Sequence, residues 1–590
     1  MRLIFDIETD GLLPELTKIH CLAARDLDDE TKVWSWRPGE IEQGLEFLQK
    51  ADYLSGHNIL TFDLPAIQKC YPGFSTKATL LDTLVCSRLI RADIKNDDFA
   101  KQWAMKGEMP TRLYGSHGLE AWGYRLGFKK GDFGKDADWS VWSEEMHQYM
   151  VQDTLVNHKL WYALAPEDYG QESIDFEHDI AQICDAVGNA GWDFDLAAAA
   201  DLYDKLTAEK KALDTELKTL FPAWTINTTF IPKVNNSKLG YVKGEPFIKQ
   251  KTVEFNPTSR KHIEFCLRQK YDFKPTHFNP SGDAKIDETI LAELPYPEAQ
   301  KLARSFMLQK RLGQLHDGRN SWLKMVDADG KLRHTINPIG TVTFRASSHH
   351  PNLQQVPAVR AEYGKECRSL FGVPDGEYLV GADLSGLELR LLASLLRDGG
   401  AYSHEILQGD IHTKNQKDMG LETRDQAKVA IYSLIYGGGD KRLGEILGKG
   451  PAEGKRIRKN FTDANPSYLQ LVKAAKAAVN QRGYLLGLDG RKIYCDSDFK
   501  AVNYLIQCHG ALVCKKWLQL VFHEIKNQNL PAQVIAWVHD EIQIQCKTKE
   551  VADHVGNITR RMAEEAGKYY KIEIPIEAEY SIGQTWADTH

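Results

Sequence analysis

The sequence lacks the features that mark membrane, disulfide-bonded or repeat proteins. Its ten cysteines include no C-x-x-C pair and follow no regular spacing, so neither a zinc site nor a disulfide framework is indicated. No apolar run is long enough to cross a bilayer. The opening residues MRLIFD enter a strand pattern without the apolar core of a signal peptide. Internal repeats and low-complexity tracts are also absent. These absences predict a soluble protein of a reducing compartment, with no membrane partner.

The chain as a whole has a small excess of acidic residues, but one segment has an excess of basic ones. The formal net charge is −7, which argues against simple coating of nucleic acid. Between Arg424 and Lys459, however, nine Lys or Arg residues stand against four Asp or Glu residues. This asymmetry fits a local phosphate-binding face on an acidic body. A pair of amphipathic helices with solvated lysines would show the same charge.

The length of 590 residues is too great for one core, and roughly 100–200 residues per domain predicts three to five units. Strand patterns alternate with helical ones over 1–165, which is typical of an α/β domain. A helical pattern over 175–220 stops before Pro222. The polar segment 223–254 is typical of a loop or small hairpin, and another helix is predicted at about 295–317.

Two acids follow an apolar strand in the sequence VIAWVHDEIQIQ, residues 534–545. The pattern predicts a β-hairpin with Asp540 and Glu541 at its turn. By themselves they are either solvated turn residues or hard oxygen ligands for a divalent metal ion. A second apolar strand ends at Asp383 and leads into a helix, so Asp383 and Asp540 could together bridge metal ions.

Another set of acids begins near residue 6. Asp6 and Glu8 are two residues apart in a predicted strand and point to one face, while Tyr149 and Asp153 share one face of a predicted helix. Any one of these acids alone would be an ordinary surface residue. The ordered set, with Asp63, resembles the DEDDy form of the DEDD 3′–5′ exonucleases. The resemblance implies Asp6, Glu8, Asp63 and Asp153 as ligands of two metal ions and Tyr149 as the residue that orients the attacking water.

The remainder of the chain resembles the family A DNA polymerases. The matching segments are TVTFRASSHHPNLQQVP (341–357), ADLSGLELR (382–390), GDIHT (409–413), RDQAKVAIYSLIYGGG (424–439), GLDGRKIY (487–494), NYLIQCHGA (503–511) and VHDE (538–541). The segments GSHGLEAWGYRLG (115–127) and AYSHEILQGDIHTKNQ (401–416) are similar to the replicative polymerases of short-tailed bacteriophages. With the exonuclease set, the matches cover nearly the whole chain in the order of the family.

The resemblance implies an α/β (α+β) multidomain fold, with a ribonuclease H-like exonuclease domain followed by a right-hand polymerase domain with palm, fingers and thumb. The implied divisions are the exonuclease domain (1–170), the thumb and palm entry (171–330) with a short basic insertion (223–254), the first palm part (331–402), the fingers (403–500) and the second palm part (501–590).

At the polymerase site, the resemblance implies Asp383 and Asp540 as ligands of two ions. The backbone carbonyl of Ala382 or Leu384 is a further candidate ligand, and Glu541 is expected to support the site. The expected cofactor is Mg²⁺, two ions at each active site, with Mn²⁺ as a substitute.

A stripe of four side chains is predicted on one helix, because Arg424, Lys428, Tyr432 and Tyr436 recur every four residues. Such a stripe is usually a core or solvated face, but two cations followed by two aromatics also suit a triphosphate and a base. The resemblance implies that Arg424, Lys428 and His412 bind the dNTP phosphates and that Lys428 protonates the pyrophosphate leaving group. It places Tyr436 near the templating base, and Tyr432 implies ready acceptance of dideoxynucleotides.

Glu388 opens a predicted helix, and the resemblance implies that it closes the space of a ribose 2′-hydroxyl; an ordinary acid favoured by the helix dipole is the alternative. The primer–template contacts implied are Arg345, Gln355, Arg368, Asn503, Gln507 and His539. Such side chains suit phosphates and minor-groove acceptors. They could equally satisfy backbone groups, and His539 could be a packed turn residue.

The expected partners are primer–template DNA, dNTPs, a phage helicase-primase and a single-stranded DNA-binding protein, in the host cytoplasm. Some phage polymerases of this branch bind host thioredoxin through a long basic insertion between thumb helices. The segment 223–254 is much shorter, with five Lys against two Glu, so thioredoxin is not expected as a partner.

Three alternatives remain beside a phage replicative polymerase. They are a repair-type family A polymerase, a single-subunit RNA polymerase and a nucleic-acid-binding scaffold with inactive sites. The exonuclease acids and Glu388 argue against the RNA polymerase. A scaffold would lack one or more of the metal acids, and none is missing.

Overall fold

Helices and strands alternate along the chain in the computed structural model, which describes residues 1–103, 106–128, 138–279 and 282–590. The chain divides into two units. The large unit comprises Met1–Trp192, Arg333–Val356 and Gly372–His590, and the small unit comprises Asp193–Leu332 and Pro357–Phe371. The mixed helix and strand content confirms the predicted multidomain α/β class. The division into exonuclease, thumb, fingers and palm stays a prediction.

The first part of the large unit is built on a five-stranded sheet with the strand order β3-β2-β1-β4-β5. Its strands are β1 (Arg2–Thr9), β2 (Ile19–Asp26), β3 (Val33–Trp36), β4 (Tyr53–Gly56) and β5 (Thr79–Asp82). Its helices are α1 (Ile41–Leu48), α2 (Asp63–Cys70), α3 (Thr83–Ile90), α4 (Ile94–Lys101), α5 (Leu119–Leu126) and α6 (Glu144–Leu164).

Strand β1 shows why this sheet carries functional side chains. Leu3, Phe5 and Ile7 alternate along the strand and are all buried in the core. Because successive side chains of a strand point to opposite faces, Asp6 and Glu8 share the other face. The strand is antiparallel to β2 and parallel to β4, so it lies inside the sheet.

The next helix of the chain leads into the small unit. Its elements, after α7 (Gln171–Ala190), are β6 (Trp192–Phe194), α8 (Leu196–Leu220), β7 (Trp224–Phe230), β8 (Phe247–Val253), α9 (Arg260–Tyr271), α10 (Glu288–Glu293), α11 (Pro297–Leu312), α12 (Trp322–Met325), β9 (Lys331–Leu332) and, later in the chain, α13 (Gly364–Ser369).

The predictions for residues 175–220 and 223–254 have clear outcomes in the structure. The helical pattern over 175–220 corresponds to two helices, because Gly191 has a φ of 70° and is followed by strand β6. Helix α8 ends at Leu220, directly before Phe221-Pro222, as predicted. Residues 223–254 contain the antiparallel pair β7–β8, which confirms the hairpin alternative.

The rest of the large unit combines helices with a four-stranded antiparallel sheet of order β16-β17-β13-β18. Its strands are β10 (Thr335–Asn337), β11 (Ser347–His349), β12 (Phe371–Gly372), β13 (Tyr378–Leu384), β14 (Tyr484–Leu486), β15 (Lys492–Tyr494), β16 (Ala532–Val538), β17 (Glu541–Cys546) and β18 (Ala578–Gly583). Its helices are α14 (Leu387–Leu396), α15 (Ala401–Gln408), α16 (Ile411–Met419), α17 (Arg424–Ile435), α18 (Asp440–Glu445), α19 (Pro451–Ala464), α20 (Pro466–Arg482), α21 (Ala501–Asn527) and α22 (Lys549–Tyr569).

The long helices α21 and α22 support this sheet. Trp517 of α21 is fully buried, and its indole N–H donates a 2.8 Å hydrogen bond to the carbonyl of Thr559 in α22. Ile542 and Ile544 of β17 belong to the same buried cluster. Within the described residues, no helix is both long and apolar enough to cross a membrane.

Candidate active sites

The first site lies at the face of β1 that carries acids. Asp6 and Glu8 of β1 and Asp153 of α6 each offer a carboxylate oxygen, and the three oxygens lie within 4.8 Å of one another. Three such oxygens suit a hard divalent cation. The pair Tyr149 and Asp153 lies on one face of α6 as predicted, and Tyr149 lines the same pocket.

Asp63 lies in the wall of this pocket but outside the group of three oxygens. It opens α2 and is only 3% exposed. Burial, with the negative charge of nearby Asp82, raises the pKa of the Asp63 carboxyl well above its usual range. A cation in the pocket would favour its ionised form. The structure therefore brings together three of the four predicted ligands and holds the fourth close by.

Two further residues of this pocket were not predicted. The Trp139 ring packs edge-on against Tyr149, with the ring centroids 6.2 Å apart. His57 lines the pocket, and its Nδ1 lies 2.9 Å from the hydroxyl of Thr83. No spacing in the sequence links Trp139 or His57 to the acids, because they come from separate segments.

The second site lies where β13 meets the turn between β16 and β17. Asp383 pairs with Glu541 across β13–β17 and with Glu579 across β13–β18. The backbone N–H of Leu384 donates a 3.0 Å hydrogen bond to the carbonyl of Asp540. His539 has a φ of 59°, in the left-handed region, which turns the chain sharply at this point. The predicted partners Asp383 and Asp540 are thus brought to the same end of the sheet.

Negative charge is concentrated at this site. Partial burial and the charges of Asp540, Glu541 and Glu388 raise the pKa of Asp383 to about 8. Burial and the charge of Glu388 raise the pKa of Asp540 to about 6. Carboxylates that repel one another in this way are stabilised in their ionised form by cations. The donor set therefore fits divalent metal ions.

The role of a backbone carbonyl of Ala382 or Leu384 as a metal ligand stays a prediction. Ala382 and Leu384 are each 1% exposed, so their side chains are buried in the sheet. Ala382 pairs with Ile542 and Leu384 with Ala578.

Glu541 has a structural environment quite different from that of its neighbour Asp540. It is 5% exposed and accepts hydrogen bonds from the side-chain amide of Gln543, at 2.6 Å, and from the indole N–H of Trp586. Nδ1 of His590 lies 3.3 Å from its other oxygen. These contacts agree with a supporting role. Trp586 and His590 were not predicted, since they lie more than forty positions from Glu541 and form no motif with it.

A cavity of about 400 Å³ adjoins the second site and is lined by Arg345, Glu388, Tyr436, His539 and Asp540, among others. The Tyr436 hydroxyl donates a 2.5 Å hydrogen bond to Glu388, and Arg345 lies 3.6 Å from the same oxygen. Burial and the charge of Glu388 raise the pKa of Tyr436 to about 12. The phenol is therefore a hydrogen-bond donor throughout the physiological range.

Helix α17 carries most of the predicted stripe. It begins after a capping box of Thr423 and Gln426 and ends at Ile435, so Tyr436 is its C-cap. The Tyr432 and Tyr436 rings are nearly parallel, with their centroids 6.5 Å apart.

The basic end of the helix meets α16. Arg424 Nε donates a 2.7 Å hydrogen bond to Asp410, and this bond holds the pKa of Asp410 well below its usual range. Partial burial, with the charges of Arg424 and Lys428, lowers the pKa of His412. The stripe and His412 therefore form one group with a cationic end and an aromatic end.

The predicted DNA contacts separate into two groups. In the large unit, the Asn503 side chain donates a 2.5 Å hydrogen bond to the carbonyl of Tyr436, and Gln507 accepts one of 3.1 Å from Thr343. Gln355 is exposed in the short 3₁₀ turn Leu353–Gln355. Arg368, in the small unit, is only 5% exposed, and its Nε donates to the carbonyl of Pro357. A contact of Arg368 with DNA stays a prediction.

The fold and the two acidic sites together indicate the class of protein to which the chain belongs. The family model of DNA polymerase family A matches residues 239–588. The chain belongs to this family, whose members use divalent metal ions.

Similarity to individual proteins indicates one branch of this family. The chain is 32% identical to the DNA-directed DNA polymerase of Enterobacteria phage T3 and 32% identical to that of Escherichia phage T7, in both cases over 100% of both chains. The predicted resemblance to phage replicative polymerases is thereby confirmed. The fold of this chain is similar to that of the POL domain of Pol1 from M. smegmatis, which was solved with DNA primer–template and dNTP. The TM-score is 0.75 at 19% identity, covering 99% of this chain and 96% of that chain.

Proposed function

We propose that this protein is a template-directed DNA polymerase that adds dNTPs to a primer 3′ end and removes errors with a 3′–5′ exonuclease. The observation that carries the proposal is the presence of two separate carboxylate sites on one family A chain, at Asp383–Asp540 and at Asp6–Glu8–Asp153. Replication of a phage genome in the host cytoplasm, beside a helicase-primase and a single-stranded DNA-binding protein, is the role that the full-length similarity favours.

In the synthetic reaction, Asp383 and Asp540 would hold two Mg²⁺ ions, with Mn²⁺ as a substitute. Bound ions promote attack by the primer 3′-hydroxyl and neutralise charge on the triphosphate. Arg424, Lys428 and His412 bind the phosphates from the cationic end of the stripe. Lys428 gives a proton to the departing pyrophosphate.

Around the nucleotide, Glu388 excludes the ribose 2′-hydroxyl and Tyr436 lies near the templating base. Tyr432 permits dideoxynucleotides to enter. The primer–template is held by Arg345, Gln355, Asn503, Gln507 and His539, the last at the primer-terminal phosphate. The 2.5 Å bond from Asn503 to the carbonyl of Tyr436 connects the DNA-binding helix α21 to the end of α17.

In the excision reaction, Asp6, Glu8, Asp63 and Asp153 would hold the ions, which would activate a water for attack on the terminal phosphodiester. The Tyr149 hydroxyl orients the attacking water. The packing of Trp139 against Tyr149 restricts the ring to the pocket.

The test is primer extension from a mismatched 3′ end, with and without dNTPs and Mg²⁺. Asp540→Ala should abolish extension and spare digestion, and Asp6→Ala should do the reverse. Asp553→Ala, at an exposed acid on α22, is the matched control and should leave both activities intact. Loss of both activities in each single variant would contradict the assignment of two sites.

A further inference from the structure

Residues 223–254, here called the arm, form a structure of their own within the small unit. Strands β7 and β8 pair with each other from Trp224–Val253 to Phe230–Phe247, and they form a sheet of only two strands in the described structure. Between those ends, every residue of both strands is exposed. An isolated two-stranded ribbon is marginally stable in water, so other contacts must hold the arm in shape.

Aromatic contacts supply that support at both ends of the ribbon. At the far end, Phe230, Tyr241 and Phe247 pack together with ring centroids 4.7–5.9 Å apart. At the near end, Trp224 stacks on Phe265 of α9 with centroids 4.8 Å apart. The aromatic side chains of the arm therefore pack at its two ends, with one another and against α9, and the middle of the ribbon stays exposed on both faces.

The charge of the arm is positive, and the described part of the chain forms no ion pair with its lysines. Its charged residues are five lysines against two glutamates. All five lysines are exposed, and none forms an ion pair with a carboxylate of the described residues; they are Lys233, Lys238, Lys243, Lys249 and Lys251. Since the protein as a whole has a net charge of −7, this local excess stands out as a site for an anionic partner.

The register of the ribbon places the lysines on one face and uncharged polar side chains on the other. Lys249 lies opposite Thr228 and Lys251 opposite Ile226, so both lysines are on the same face. The opposite face carries the pairs Thr225–Thr252 and Asn227–Gln250. Hydroxyl and amide groups of this kind bind phosphate and sugar oxygens of DNA. A two-stranded ribbon also has the width to enter a groove of B-DNA.

We propose that the arm is a binding element for double-stranded DNA, in which Lys249 and Lys251 contact phosphates and keep the enzyme on its duplex during successive additions. The proposal rests on the proposed function, since a DNA polymerase must hold a primer–template duplex. It assigns to this short insertion a direct contact with DNA that requires no protein partner.

The test is the double charge reversal Lys249→Glu/Lys251→Glu. Dissociation constants for a primer–template duplex are measured by fluorescence anisotropy over a series of NaCl concentrations, and processive product length is measured with a heparin trap. We expect the slope of log Kd against log salt to decrease by about 2, roughly 1 for each phosphate that a lysine no longer neutralises. We also expect shorter products at an unchanged rate of single-nucleotide addition on saturating duplex.

Two controls keep the test specific. Lys50→Glu/Lys77→Glu makes the same charge change at two exposed lysines of the large unit and should retain the wild-type slope. Lys249→Arg/Lys251→Arg keeps the charge and should retain the wild-type product length.

A slope and product length equal to those of the Lys50→Glu/Lys77→Glu control would overturn the proposal. Ile231 and Val234, which are 62% and 67% exposed, would then point to a protein partner for the arm. Failure of the proposed function would look different, because the wild-type protein would not extend a primer at all while duplex binding could still be measured.

Discussion

The Tyr436 hydroxyl and the Glu388 carboxylate are joined by a 2.5 Å hydrogen bond inside the cavity next to Asp540. This bond connects the end of α17 to the beginning of α14, so one residue of each helix lines the same cavity. Arg345, 3.6 Å from the same carboxylate oxygen, holds Glu388 from another direction. The position of Glu388 is therefore set by two partners that come from distant parts of the chain.

Selection of the sugar should depend on the bulk of Glu388. We expect Glu388→Ala to raise ribonucleotide incorporation relative to deoxynucleotide by at least tenfold, about 1.4 kcal/mol of discrimination, because the side chain that fills the 2′ position is removed. Glu388→Gln keeps the volume and should keep most of the selectivity. The measurement is kcat/KM for matched dNTP and rNTP. Equal selectivity in Glu388→Ala and wild type would contradict the role.

The raised pKa of Asp383 predicts how the metal-free protein responds to pH. An acid whose pKa is about 8 in the folded state and 3.8 unfolded holds its proton longer when folded, so its contribution to stability decreases as pH rises from about 4 through 8. Asp383→Asn removes this loss, and the metal-free variant should melt at a higher temperature than wild type at pH 9.

Thermal unfolding in EDTA at pH 6 and pH 9 makes this comparison. Added Mg²⁺ should raise the melting temperature of wild type more than that of Asp383→Asn, since the variant lacks the charge that the ion neutralises. A lower melting temperature for metal-free Asp383→Asn at pH 9 would show that its charge is already compensated within the protein.

Trp586 should affect synthesis through Glu541. Trp586→Phe removes the indole N–H that donates a hydrogen bond to Glu541, and it keeps a large aromatic side chain. We expect the rate of nucleotide addition to decrease about tenfold, near 1.4 kcal/mol of activation free energy, with excision by the Asp6 site unchanged. Trp322→Phe, at another buried tryptophan, is the control for the loss of bulk. A parallel loss of both activities in Trp586→Phe would indicate general misfolding instead.

Removal of one partner from a buried ionic group should destabilise the large unit. Glu177 of α7 bonds to Lys515 of α21 at 2.7 Å and to Arg491 at 2.6 Å, and all three side chains are 0% exposed. Arg491 also pairs with the buried Asp489 at 2.7 Å, so Lys515→Met leaves two buried carboxylates against one cation. We expect the free energy of unfolding in urea to decrease by about 3–5 kcal/mol.

The exposed pair Arg37–Glu144 provides the comparison for this group. Arg37→Met should change stability far less, because water replaces the lost partner. Similar effects of Lys515→Met and Arg37→Met would show that the buried group contributes little.

Several features could be predicted because they depend on neighbours in the sequence. Strand alternation put Asp6 and Glu8 on one face, helical spacing aligned Arg424 with Lys428, and the apolar strands before Asp383 and Asp540 placed both acids at strand ends. The order of the motifs indicated family A, and the comparisons confirmed it. The polar composition of 223–254 indicated a loop or a small hairpin, and the structure shows the hairpin.

Other features could not be predicted because they depend on contacts between distant segments. Asp540 and Glu541 are adjacent acids, yet Trp586, Gln543 and His590 bury only Glu541. The residue type of Arg368 likewise did not indicate that this side chain is only 5% exposed, and its contact with DNA stays a prediction.

The sequence by itself determined the family, the strands and helices that carry the acids, and the likeness to phage polymerases, since local spacing and ordered motifs are sufficient for these. Only the tertiary structure decided that Gln543, Trp586 and His590 surround Glu541, that Asp63 lies apart from the three grouped oxygens, and that the arm's lysines form no ion pair within the described residues. Burial and hydrogen bonding depend on side chains that folding brings together from far along the chain, and no local pattern specifies those partners.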